Sequence, residues 1–412
     1  MTIMNALARH LPLVGNPQTR TRRLHAWVRD TCAEHPWAGA IAVAFTFLAV
    51  AVATALHYDL PMRDPVGYYR LLVLPLTLIA GFLLVDVVGR TIMLHRRGRV
   101  PLSDALRRVA TERATPGRVI PVFAGFLAFQ ITYIAYRNLK SFLTHVRSNN
   151  QPADITYDQQ LMDFDRWLFF GHAPATLLHD LLGTGVTAHV LAAVYVFFLM
   201  FVPISVAFAL TSGHIRDGMW FITALMWNWI LGTASYYLIP ALGPFAHASG
   251  LFEDLPSTSA SELQEWLNVA RGQWIHDPVG FGNQIQGVAA FASLHVSIVF
   301  TAFLATRILG MKRLSYALFV FLVLTTLATI YFGWHYVTDD IAGIAIGFMA
   351  IGLAGWTTGK RGRGVTPKDT DDDDDSADAG GDDDGNDDGA SVRAPAEPRI
   401  VRDRPVTASP VS

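Results

Sequence analysis

The sequence predicts an all-α fold: a polytopic membrane helical bundle of about eight transmembrane helices, with a short interfacial helix on its outer face. Three observations carry this. Hydrophobic residues make up 51% of the 412-residue chain and charged residues only 16%, against roughly 25% charge in soluble domains, and the mean hydropathy is +0.31. Apolar runs of the length that crosses a ~30 Å hydrocarbon core recur along the chain. Lys and Arg gather in alternate connections between those runs.

In chain order, residues 1–36 read as a cytoplasmic basic arm, carrying Arg9, Arg20, Arg22, Arg23 and Arg29 and no cleavable signal pattern. Residues 37–117 hold two accessory spans, at 37–57 and 69–89, and a basic cytoplasmic loop with Arg90, Arg96, Arg97, Arg99, Arg107, Arg108 and Arg113. Residues 118–358 form a six-helix core with spans at 118–137, 187–212, 218–241, 286–308, 314–333 and 337–358. With eight spans, Arg216, Arg307, Lys312, Arg313, Lys360, Arg361 and Arg363 share one side with the amino-terminal arm. The positive-inside bias makes that side cytoplasmic, so both termini are expected in the cytoplasm and the connections at 138–186 and 242–285 outside the plasma membrane. Within the first connection, Leu161–Phe170 mixes aromatics with charge, as a helix lying among headgroups does; a packed outer cap reads equally well.

Residues 359–412 are expected to form a disordered acidic cytoplasmic tail. From Val365 to Ser412 there are 14 acidic and 5 basic residues, a balance of −9 that leaves +7 on the rest of a chain whose net charge is −2. Such a composition buries too little apolar surface to offset its ordering entropy. The single cysteine, Cys32, excludes an intramolecular disulfide and a cysteine-based metal cluster. No nucleic-acid motif or phosphate-cradling glycine loop occurs.

Chemistry concentrates on two histidines at the ends of apolar runs. His295 lies in Phe291-Ala292-Ser293-Leu294-His295 and His335 in Gly333-Trp334-His335-Tyr336-Val337-Thr338-Asp339. They are 40 residues apart, about two spans of ~20 residues each, so the chain crosses and returns to bring both imidazoles to one face. Ionisable groups at membrane depth are costly and usually functional. His335 and Asp339 stand four apart, close enough on a helix for the carboxylate to fix the imidazole tautomer; Asp340 points about 100° away. A nucleophile, an orienting acid and a proton donor suffice for group transfer by double displacement, with no metal and no cofactor. Read singly, each histidine is as well explained by an ordinary interfacial residue.

At these residues the chain resembles the type-2 phosphatidic acid phosphatase superfamily. Ala-Ser-Leu-His (292–295), followed one helical hairpin later by His335-Tyr336-x-x-Asp339-x-x-x-Gly343, is similar to its second and third signatures. The match is closest to the inositol phosphorylceramide synthase-like (inositolphosphotransferase) branch, with Ser-Leu-His in place of Ser-Gly-His. Tyr237-Leu238-Ile239-Pro240, Gly243-Pro244 and Asp165–Gly171 are also similar to segments of that branch. The resemblance implies His335 as the nucleophile that becomes a phosphohistidine, Asp339 as its orienting partner, His295 as the general acid and Ser293 in the phosphate pocket. Lys140 and Arg147 have the spacing of the superfamily's Lys-x6-Arg-Pro signature, with Ser148 in place of the proline. Thr329 stands where lipid phosphatases carry an arginine, so Arg137 or Arg271 becomes an alternative source of positive charge. The implied partners are a lipid-phosphate donor, membrane lipids and an acceptor, water or a small alcohol. A transporter, or a non-catalytic protein that binds lipid phosphates, is the alternative; Asn228 and Asp86 are the main polar groups within the spans away from the site.

Overall fold

Proline in the first turn opens helix α1 (Pro36–His57), a run of mostly small and branched apolar residues with a few aromatics and two threonines; a proline there gives up an N–H that has no helical partner. The computed structural model describes residues 35–63, 72–98, 100–150, 156–280 and 287–360. The basic arm and the acidic tail lie outside the described residues.

Helix α2 (Leu74–Gly98) ends in Arg96, Arg97 and Gly98, the cationic, glycine-terminated end that suits a helix C-terminus. It turns back through the short α3 (Leu102–Arg113). Asp86 joins the two, pairing with Arg90 at 3.1 Å and with Arg113. Helix α4 (Pro116–Asn150) is the longest, at 35 residues. Two short helices follow, α5 (Asp158–Leu168) and α6 (Pro174–Leu182). Then come α7 (Val186–Thr211), α8 (Ile215–Leu238), the four-residue α9 (Pro244–His247), a 3-10 turn at Ser249–Phe252 and α10 (Ser259–His276). Helices α11 (Leu294–Ile308), α12 (Lys312–Tyr331) and α13 (Val337–Thr357) complete the described chain, and no strand occurs in it.

Helix α8 sits at the centre, against α1, α4, α7, α11 and α13. Helix α11 packs on α12 and α13, α12 on α7, and α2 chiefly on α7 and α3. Six of the described helices are long and apolar enough to cross a membrane, namely α1, α2, α4, α7, α12 and α13, which makes this an integral membrane protein. Eight spans were expected, and two of them change character. The run at 286–308 is helical only from Leu294, 15 residues or roughly 22 Å, too short to span alone. The run at 218–241 becomes α8, 24 residues long but diluted by Asn228, Gly232, Thr233 and Ser235. Both are wrapped by other helices, so neither needs a lipid-compatible surface.

Helix α4 overruns its expected end at 137 by thirteen residues. Lys140 and Arg147 therefore lie on a helix rather than in a loop, seven apart and on nearly the same face. Helix α5 combines both readings of its segment. Its inner face buries Asp158, Leu161, Met162 and Asp165, while Trp167 is 73% exposed and Phe170, just beyond the helix, 95%.

Candidate active site

Ser293 begins the site. Its hydroxyl accepts from the Val296 N–H at 3.4 Å, capping α11 and setting His295 in the first turn, partly buried. Helix α12 stops at Tyr331, and the chain turns through Phe332–Tyr336 before α13 begins at Val337. Gly333 makes this turn with φ +66°, and a Cβ there would run into the Phe252 ring. His335 thus precedes α13 instead of riding on it. Gly343 allows α13 to close on the start of α11: a Cβ would stand 2.5 Å from the Ser293 carbonyl oxygen. The Ser293 N–H donates to the Asp339 carbonyl at 3.0 Å across the same contact.

These constraints place His335 between two partners. Its Nε2 is 3.4 Å from His295 Nδ1, and its Nδ1 is 3.4 Å from Asp339 Oδ2. The second distance is too long for a well-formed hydrogen bond, and His335 Nδ1 has no other partner. Asp339 Oδ2 also accepts from the Tyr336 N–H at 3.0 Å. Burial, and then the Lys140 ammonium, lower the His335 pKa to about 3, with the Ala290 carbonyl acting the other way; the imidazole is neutral at physiological pH.

Behind His335 lie three more buried carboxylates. Asp158 accepts from the Leu242 and Gly243 N–H groups at 2.9 Å each and from the Tyr336 hydroxyl at 3.0 Å. Asp165 accepts from the Val337 N–H and the Thr338 hydroxyl, both at 2.7 Å, and so caps α13 from α5. Burial raises the pKa of Asp165 and these hydrogen bonds oppose the rise. Asp340 accepts from the Thr329 hydroxyl at 3.1 Å.

In front of the histidines opens a cavity of about 770 Å³. Lys140, Arg137, His295 and His335 line it together with a mostly apolar and aromatic wall that includes residues of α7 and Leu74 and Pro75 of α2. Lys140 lies over the Tyr236 ring at 4.9 Å. Tyr195 stacks on His295 at 4.7 Å and on Trp334 at 4.8 Å, fixing the His295 ring as one tier of an aromatic wall. A polar lining of cations and imidazoles that continues into an apolar groove fits an anionic group carried on a hydrocarbon chain.

The structure brings His295, His335, Asp339 and Lys140 to one place. Ser293 is wholly buried at the helix cap. Arg147 donates to the Tyr237 carbonyl at 3.4 Å and is not part of the cavity wall. Arg271 also stays off that wall; burial lowers its pKa and nearby Asp158 opposes this. Of the polar groups in the spans, Asn228 is tied to Ser297 and, at 3.0 Å, to Thr301, while Asp86 is held by its two arginines. Sequence reasoning missed Asp158 and Asp165 as braces; their seven-residue spacing on one face of α5 with Leu161 was the available signal.

Comparison with known proteins agrees with this geometry. Residues 159–353, just under half the chain, match the family model of the PAP2 superfamily. No curated protein and no solved structure matches the chain.

Proposed function

We propose that the PAP2-superfamily segment at 159–353 makes this chain a membrane enzyme that moves a phosphoryl or phospho-headgroup from a lipid through a phosphohistidine on His335. The observation that carries the reading is His335 held between Asp339 and His295, each at 3.4 Å, at the head of an apolar-walled cavity.

His335 Nε2 attacks phosphorus and forms an N–P bond as the P–O bond to the leaving group breaks. His295 gives its proton to the departing oxygen. Asp339, across the ring, stabilises the imidazolium that forms. In the second half the acceptor's oxygen attacks phosphorus, His295 recovers a proton from it, and the N–P bond breaks. Lys140 offsets the charge on the non-bridging oxygens, where phosphoryl transfer gains most from electrostatic stabilisation. None of these steps calls on a metal ion.

Position in the bilayer follows from charge. Arg113 and Arg118 flank the start of α4 and Lys360 follows α13, where it pairs with Asp217 at 2.6 Å; this is the end away from His335. The positive-inside bias then sets the histidines on the extracytoplasmic side of the plasma membrane, with both termini cytoplasmic. The donor's chains stay in the groove while water or a small alcohol arrives from outside. Ser-Leu-His at 293–295 and the neutral Thr329 favour the inositol phosphorylceramide synthase-like branch, hence transfer to an alcohol over hydrolysis. Thr329 also supports a second reading, a protein that binds lipid phosphates without turnover.

The test is turnover of a panel of radiolabelled lipid phosphates by protein in liposomes, with acid-labile labelling of the chain as the second readout. His335→Ala is expected to lower turnover on the order of 10⁴-fold or more and to abolish labelling. His295→Ala is expected to cost roughly 10²- to 10⁴-fold, and a chelator to change nothing. Parental turnover by His335→Ala would sink the proposal; saturable lipid binding without labelling in the parent would establish the second reading.

A further inference from the structure

Besides His335 Nδ1, three buried N–H donors in the cavity wall have no hydrogen-bond partner: Arg137 Nε, Trp229 Nε1 and Trp334 Nε1. No carboxylate occurs among the described residues that line the cavity. A buried donor without a partner is costly. A wall of this kind is complementary to a ligand rich in acceptors and poor in donors.

Arg137 is the charged member of the set. It stands three residues before Lys140 on α4, hence on the same face, and the two charges repel. Across the opening its Nη1 lies 3.8 Å from the point where a Cβ on Gly287 would be. Thr329 is committed to Asp340 and carries no charge. Two neighbouring cations in a wall whose described residues include no carboxylate suit an anion, and the planar fork of a guanidinium matches two phosphate oxygens at once.

We propose that Arg137 is a phosphate-binding residue of this cavity, gripping the lipid headgroup's non-bridging oxygens together with Lys140. The assignment rests on the phosphotransfer reading above and extends it to a residue outside the recognised signatures. It also narrows the donor: the headgroup must present at least two anionic or strongly accepting oxygens to the α4 side, so lipids with uncharged headgroups do not compete.

The experiment titrates the full-length protein in micelles with inorganic phosphate and with orthovanadate, following heat and thermal stabilisation, and runs lipid-phosphate turnover in parallel. Arg137→Gln is expected to weaken phosphate binding about 10- to 100-fold and to raise KM by more than it lowers kcat. Arg137→Lys, which keeps the charge and loses the fork, is expected to lose a smaller factor and guards against a folding defect in the glutamine variant. His335→Ala is expected to lose turnover while saturable phosphate binding through Arg137 and Lys140 persists. Parental phosphate affinity in Arg137→Gln overturns the inference while leaving turnover through His335 intact. No saturable phosphate binding by the parent overturns it as well. If His335→Ala keeps its turnover, the nucleophile assignment fails and the Arg137 titration still decides the clamp.

Discussion

The two sides of His335 are built from opposite materials. Behind it, Asp158, Asp165, Asp339 and Asp340 are all at most 3% exposed; each accepts from backbone N–H groups or from hydroxyls of Tyr336, Thr338 and Thr329, and Asp339 Oδ1 and Asp340 Oδ1 keep no partner. In front of it, the cavity wall is cationic, and several of its donors have no partner. Asp158 and Asp165 are finished structure, carboxylates that do the work of helix caps and turn clamps, while Asp339 and Asp340 each keep one oxygen open. The front is unfinished, as a binding site must be before its ligand arrives. Fully satisfied carboxylates such as Asp158 and Asp165 therefore argue for architecture, and open donors on a cavity wall argue for a ligand.

Asp339 is the exception that tests this division, because it belongs to the rear yet faces the reacting ring. Asp339→Asn keeps an oxygen to accept from the Tyr336 N–H and removes the charge from His335 Nδ1. On the proposed mechanism it lowers kcat by roughly 10³- to 10⁴-fold, the scale known for a carboxylate behind a catalytic histidine, with little change in melting temperature. Parental kcat together with a lowered melting temperature would make Asp339 one more brace and leave the rear wholly structural.

The rear and the front were not equally legible. The helical class, the membrane character and the pairing of the histidines followed from apolar run length and a 40-residue separation, because crossing and returning leaves few alternatives. Asp158 and Asp165 did not stand out, since periodicity cannot tell a carboxylate that caps another helix from one that faces water. The expected loop after residue 137 is helix because a hydropathy window sees where lipid-compatible sequence stops, not where a helix does. Lys140 was found from signature spacing, but its approach to the histidines depends on α4 packing against α8. The cavity itself, assembled from α2, α4, α7, α8, α10 and the two histidine turns, corresponds to no local pattern at all.

A smaller effect is expected where the two sides are held in register. Gly343→Ala puts a Cβ 2.5 Å from the Ser293 carbonyl oxygen, so α13 must move away from the start of α11. The expected loss is about 1–3 kcal/mol of stability, read as a lower melting temperature in detergent, with kcat falling because His335 and His295 shift apart. Gly352 in the same helix has no atom within 4 Å of its would-be Cβ, and Gly352→Ala should be neutral or stabilising by up to about 1 kcal/mol. Equal behaviour of the two variants would mean that the α11–α13 contact does not set the histidine spacing.

The smallest expected effect separates the front wall from the rest of α4. Arg147 shares the spacing of a phosphate-binding signature with Lys140, yet it donates to the Tyr237 carbonyl at 3.4 Å, whereas Lys140 lies in the cavity wall. Arg147→Ala should therefore cost on the order of 1 kcal/mol of stability and change kcat/KM by less than about threefold, under 1 kcal/mol of transition-state stabilisation. Lys140→Ala, which removes a cation beside the reacting phosphorus, should exceed it by at least about tenfold. Equal losses from the two substitutions would mean that the phosphate is gripped from the far end of α4 and that spacing along the helix outranks the cavity seen in front of His335. A loss confined to Lys140 would instead make α4 a helix with one binding turn, where Arg137 and Lys140 act together and Arg147 only ties the helix end to its neighbour.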